Sequence, residues 1–256
     1  MRRQFNLGFQ AALLAIIGLQ TSPLLAKEVP SLVSTEVLLT SAAGHKLAVM
    51  DAVQFSSVDP RAGVAQVQID PLMTRQTVTG IGTSFTESSA FVLAHLPEAA
   101  RRSVMAQLFS DQGANFSLAR TTIGATDFSV EGKYDYAPVA DDLDLQHFSI
   151  AEDRLGFDPA RYPGVIARDF DLLPMIDEAL TIKQGQADSS LRIIASAWTA
   201  PPWMKDIAGY YQPGTAENNY QGTGGQLKPG YESVYADYLL RYLDAYAAAG
   251  VPIWGL

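Results

Sequence analysis

From Thr77 onward, four short β-prone runs alternate with helix-forming stretches. That order restricts the fold severely, because each helix carries the chain back to the start of the next strand, and strands so connected pair in parallel. The runs are 76–82 (Gln-Thr-Val-Thr-Gly-Ile-Gly), 115–120 (Asn-Phe-Ser-Leu-Ala-Arg), 191–196 (Leu-Arg-Ile-Ile-Ala-Ser) and 251–256 (Val-Pro-Ile-Trp-Gly-Leu). Between them, helices are predicted over 87–95 and 97–109, the second with Pro97 placed to start it. Leu172, Leu173, Ile176, Ala179 and Leu180 mark another helical face. The clearest helix spans 229–249, where Tyr231, Val234, Tyr235, Tyr238, Leu239, Tyr242, Leu243 and Tyr246 share one side and Gly250 stops it. That tyrosine stripe is expected to face the sheet. Residues 124–168 read as a long irregular segment.

Two parallel α/β architectures compete. A doubly wound sheet carrying a nucleotide needs a glycine fingerprint, but Gly80 and Gly82 supply two glycines only, with Phe85 at the third position. A (β/α)8 barrel takes about 250 residues. Residues 77–256 hold roughly four βα units, so the count predicts the first half of a barrel.

The preceding part differs. Three β-prone runs at 37–39, 46–50 and 64–69, the last alternating with period two, are separated by Gly44, by the Pro60–Gly63 turn and, after the third, by Pro71. Residues 27–76 therefore read as an N-terminal β-strand segment too small to stand alone. Residues 1–26 read as a cleaved signal peptide: Arg2 and Arg3, then an apolar run over 11–19, then a small-residue site at Ala26. An exported protein, periplasmic or secreted, with no stable membrane anchor is expected. The Arg2-Arg3-Gln4-Phe5 start leaves twin-arginine export open beside the general route.

Composition narrows the chemistry. Eighteen Lys and Arg against 27 Asp and Glu give a net charge of −9, the wrong sign for a nucleic-acid partner. Cysteine is absent, and the three histidines at 45, 95 and 147 lack ligand spacing, so neither thiol chemistry nor a metal is expected. In a βα barrel the active site sits on loops after the strands. Those loops here are Thr83–Glu87, Arg120–Ser129 and Ala197–Lys205, supplying carboxylates, an arginine and tryptophans. Such groups suit a sugar, whose hydroxyls donate to carboxylates while its apolar face packs on indole.

The stretches 80–87, 120–129, 195–205, 145–153 and 224–229 resemble glycoside hydrolase family 30, in its glucosylceramidase-like branch with β-glucosidases and β-1,6-glucanases. The resemblance implies a (β/α)8 TIM barrel with a side β-domain, to which residues 27–75 would contribute strands. It implies an exported retaining β-glycosidase acting on a glucosylceramide-like or β-1,6-glucan-type substrate, without cofactor. It also implies roles in substrate binding for Glu87 (hydroxyl-binding carboxylate), Arg120 (support of the nucleophile), Asp127 and Trp198 (indole of the glycone site). The family's acid/base Glu, in an Asn-Glu-Pro motif after strand four, and its nucleophile Glu, after strand seven, would both fall beyond Leu256. The stretch as written is accordingly expected to be inactive.

Blander readings stand beside these roles. Glu87 suits the first turn of a helix, Asp127 a turn, Arg120 an ion pair, and Trp203 the core. Glu152 and Asp153 read as a solvated loop, because sequence neighbours point apart. A non-catalytic fragment or split subunit, binding sugar or needing a partner to complete the barrel, is the alternative function. The oligomeric state stays open. An unrelated open-sheet enzyme is disfavoured, since the chain has no nucleophile elbow.

Overall fold

The computed structural model describes residues 35–53, 63–70, 72–130, 132–207, 209–217, 219 and 222–256, which divide into two compact units between Thr74 and Arg75. The predicted signal peptide lies outside the described residues. In the first unit, β1 (Thr35–Leu39) and β2 (Ala48–Val53) pair antiparallel with Val37 opposite Met50 and Leu39 opposite Ala48. The third expected strand is a correction. Residues 64–69 are exposed and form no strand, with Val67 and Ile69 over four-fifths accessible. A strand persists only where a neighbour takes up its amides and carbonyls, and no described strand pairs with this run.

The second unit is a four-stranded parallel sheet of β3 (Gly82–Ser84), β4 (Leu118–Ile123), β5 (Arg192–Ala197) and β6 (Ile253–Gly255), in that spatial order. Helices α1 (Glu87–Ala94) and α2 (Glu98–Phe109) connect the first pair, α3 (Leu172–Gln184) the second and α4 (Glu232–Ala248) the third. Strands that keep chain order, with no reversal, wind in one direction as a barrel does; a doubly wound sheet reverses at its switch point. This is the partial barrel that the strand count predicts.

Two strands start later than expected. A Cβ at Gly82 would fall 1.6 Å from the Leu118 carbonyl oxygen, so this glycine is where β3 meets β4, not where a strand ends. The preceding Val78 and Ile81 are exposed. Likewise β4 is shifted towards Ile123, so that Arg120 lies inside it, in register with Ser84 and Ile194.

Helix ends follow local chemistry. Thr86 caps α1 by accepting from the Ser89 amide at 3.1 Å, and the Asp171 carboxylate caps α3 at the Leu172 amide, 2.7 Å. Gly250, at φ +87°, closes α4 with Gly250 N–H to Ala247 O and Val251 N–H to Tyr246 O. Between sheet and helices lie Ala119, Ile193 and Ala195 of the strands, Leu93, Phe109 and Ile176 of the helices, and the fully buried Tyr238, Tyr242 and Tyr246. The tyrosine stripe is thus core, as its spacing predicts.

Asp153 corrects the solvated-loop reading. Glu152 is exposed, but Asp153, in the 3₁₀ turn Ala151–Arg154, is 1% accessible. Its carboxylate accepts hydrogen bonds from Tyr246 (2.5 Å), Tyr136 (2.7 Å) and Tyr134 (3.0 Å). Burial pushes its pKa up to about 6 against those lowering hydrogen bonds. Through these bonds the irregular 124–168 segment is pinned onto α4. Among the described residues no helix is long and apolar enough to cross a membrane.

Candidate active site

Arg120 comes from the middle of β4, and Trp198 follows the last residue of β5. Because β4 and β5 are parallel and in register, both side chains reach the same end of the sheet. The Arg120 guanidinium lies 5.1 Å from the centre of the Trp198 ring, and Phe128 meets that indole edge-on at 6.3 Å. The Arg120 Nε is buried without a hydrogen-bond partner among the described residues. A buried guanidinium donor left open is costly, so this nitrogen is set to receive an acceptor.

Trp198, 45% exposed, stands between two hollows. One is an open cleft of about 810 Å³ lined by Thr83, Phe85, Arg120, Thr122 and Phe128. The other is a cavity of about 280 Å³ lined by Asp127, Lys133, Thr199, Tyr210 and Tyr211. Asp127 reaches its place on a loop ordered from within. Thr126 Oγ1 accepts from the Phe128 amide and Ser129 Oγ from the Thr126 amide, turning Asp127 outward.

Glu87 is placed differently from a sugar-binding carboxylate at Trp198. It is 6% exposed in the first turn of α1, where negative charge is favoured, and accepts the Val130 amide at 2.5 Å. Beside it, the Ser88 hydroxyl and amide both donate to the Phe128 carbonyl. The start of α1 therefore clamps the loop that carries Asp127 and Phe128. The hollow that Glu87 itself lines is a third one, of about 450 Å³, shared with Tyr134, Glu152, Phe157 and Arg168. So the structure brings Arg120, Asp127 and Trp198 together and sets Glu87 behind their loop. Trp203 is half-buried against the core, donating its indole N–H to the Ala137 carbonyl at 2.8 Å.

Sequence reasoning missed Lys133, Tyr210 and Tyr211 at the cavity and Lys205 beneath it. Lys205 is 4% exposed, and its ammonium donates to Thr199 Oγ1 (2.5 Å), the Gly224 carbonyl (2.8 Å) and the Tyr210 carbonyl (2.9 Å). All three protons are thereby used. Burial pulls its pKa below the ordinary lysine value, with Asp206 opposing. An adjacent tyrosine pair in a glycine-rich loop was the available signal for this wall.

Parallel βα units whose strands keep chain order define the class: a barrel-type α/β protein, with an indole, a guanidinium and a carboxylate around one end of its sheet. Residues 78–256 match the glycosyl hydrolase family 30 TIM-barrel domain, and the chain belongs to that family. It is 31% identical over 179 residues to an endo-1,6-beta-D-glucanase of Neurospora crassa, covering 70% of this chain and 32% of that protein. It is 25% identical over 182 residues to the lysosomal acid glucosylceramidase of Mus musculus, covering 71% and 30%. Among solved structures, the endo-beta1,6-glucanase BT3312 aligns with a TM-score of 0.53 and 26% identity over 82% of this chain and 39% of that one. The chain spans about a third of the length of the curated relatives it matches.

Proposed function

We propose that this protein is an exported retaining β-glycosidase that hydrolyses β-glucosides, of glucosylceramide or β-1,6-glucan type. The observation that supports this most is the half-exposed Trp198 indole, backed by the Arg120 guanidinium and opening onto the cavity of Asp127. In this reading the sugar ring stacks on Trp198 and a hydroxyl donates to Asp127. Retention requires two carboxyls about 5–5.5 Å apart, one protonating the leaving oxygen and one attacking the anomeric carbon. We assign both to glutamates beyond Leu256, after the fourth and seventh barrel strands. The open Arg120 Nε–H is suited to donate to the nucleophile's carboxylate. Glu87 acts through the Asp127 loop that it holds.

An aryl β-glucoside assay tests the proposal. The protein at its natural length should turn over the substrate, and residues 27–256 alone should not. Turnover by residues 27–256 that Glu87→Gln abolishes would place the catalytic pair inside this stretch and overturn the assignment. Sugar binding by the natural-length protein without hydrolysis would favour the non-catalytic alternative.

A further inference from the structure

The Asp127 cavity, at about 280 Å³, lies at the small end of ligand sites, which run from about 300 to 1,000 Å³. One sugar ring fills such a space, so whatever is attached to that ring must leave across the rim. What it meets there is Tyr211, 57% exposed, with the Lys133 ammonium 3.2 Å from the centre of its ring.

Tyr211 sits on an anchored loop. The Tyr210 hydroxyl donates to the buried Asp135 carboxylate at 2.8 Å, and the Tyr210 carbonyl accepts from Lys205 at 2.9 Å. On the other side, Gln212 exchanges two backbone hydrogen bonds with Thr223, at 2.7 and 3.0 Å. Tyr210 is thus tied down by buried polar groups and Gln212 by a backbone bridge, while the Tyr211 ring is left largely in solvent. A ring held in place before a ligand arrives loses little freedom on binding, and it contributes most to affinity where it can stack. The rim beside it is polar, with Lys133 and Asp127 exposed. A pyranose matches both properties, offering a C–H face to the phenol ring and hydroxyls to the ammonium and carboxylate. An alkyl chain would gain nothing from the two charges.

We propose that Tyr211 and Lys133 form a second sugar subsite, which takes the ring joined to the glucose at Trp198 and makes the substrate a gluco-oligosaccharide and not a lipid glucoside. The inference rests on the β-glucoside reading above and deepens it. The open apolar cleft that Trp198 also lines is where an alkyl chain would lie instead, and the test separates the two.

Calorimetric titrations of the natural-length protein would use three sulfur-linked ligands that resist hydrolysis: methyl β-thioglucoside, a β-1,6 thio-disaccharide of glucose, and octyl β-thioglucoside. The disaccharide should bind about tenfold tighter than the methyl glucoside, the factor that one aromatic stacking contact supplies, and tighter than the octyl glucoside. Tyr211→Ala should bring the disaccharide-to-methyl ratio close to one, Lys133→Ala should lower it in part, and Tyr211→Phe, which keeps the ring, should preserve it. Near-ultraviolet circular dichroism confirms that each variant is folded. Trp198→Ala should weaken all three ligands alike, which tests the glucoside reading separately. A disaccharide no tighter than the methyl glucoside, a preference that survives Tyr211→Ala, or tightest binding of the octyl glucoside would each overturn the subsite and leave the glucoside reading standing. Failure of every ligand to bind would remove both.

Discussion

Trp198 and Glu87 show how position separates two side chains that occupy similar places in their loops. The indole opens onto two hollows, whereas the carboxylate is spent on a backbone amide of the neighbouring loop. Under the proposed function, Trp198→Ala in the natural-length protein should raise the barrier in kcat/KM on an aryl β-glucoside by about 1–3 kcal/mol, through lost stacking. Glu152→Gln, on an exposed side chain away from Trp198, should leave it unchanged. Asp153 makes a different prediction. Its folded pKa of about 6 lies above the ordinary carboxyl value of 3.8, so between those limits the folded state binds more protons than the unfolded one. The stability it confers is fully present below about pH 4 and is lost as pH rises through 6, a change of up to about 3 kcal/mol. Asp153→Asn keeps an acceptor for the tyrosines without the charge. The stability of this variant relative to the parent should therefore increase from pH 4 to pH 7, read from denaturant midpoints; a flat difference would mean that Asp153 does not titrate there.

The strands and helices depend on two glycines for unlike reasons. At Gly82 the obstacle is steric: an added methyl would overlap the Leu118 carbonyl, and backbone on both sides has nowhere to go. At Gly250 nothing lies near an added Cβ, and the cost is only that of a left-handed backbone at φ +87°. Gly250→Ala should lose about 1 kcal/mol and keep α4, while Gly82→Ala should lose about 3 kcal/mol or more and disturb the β3–β4 pairing. Urea unfolding of both variants ranks the two effects, and equal losses would contradict the close approach at Gly82. The same reasoning explains why β3 is three residues long: it starts where the backbones can touch.

Across the whole molecule, the parallel sheet of the described residues ends in β3 on one side and β6 on the other. Trp254 and Leu256 at the β6 side are more than half exposed, as are Val78 and Ile81 just before β3. Unpaired edges and large exposed apolar side chains favour association. Residues 27–256 expressed by themselves should self-associate or bind a hydrophobic dye, and the natural-length protein should do neither. A monodisperse monomer of residues 27–256 with a sharp melt and no dye binding would argue against a barrel completed by further units.

The order of strands and helices, the buried stripe of α4 and the family were all legible along the chain, because periodicity, capping residues and motifs are carried by residues close together in sequence. Strand limits were less so: the run at 64–69 has the alternation of a strand but no partner among those described, and β4 was set by its pairing with Gly82. Of the proposed site, Asp127 and Trp198 lie in loops and Arg120 inside β4, and the family resemblance picked out all three because its motifs are read locally. The burial of Asp153 could not, because its three hydroxyl donors lie at positions 134, 136 and 246. Nor could the direction of Glu87, which is decided by an amide 43 residues away, or the mounting of Tyr211, held through Asp135 and Lys205. A pattern along the chain specifies which face of an element is apolar. Which polar groups must satisfy one another is decided only when distant segments exclude water together.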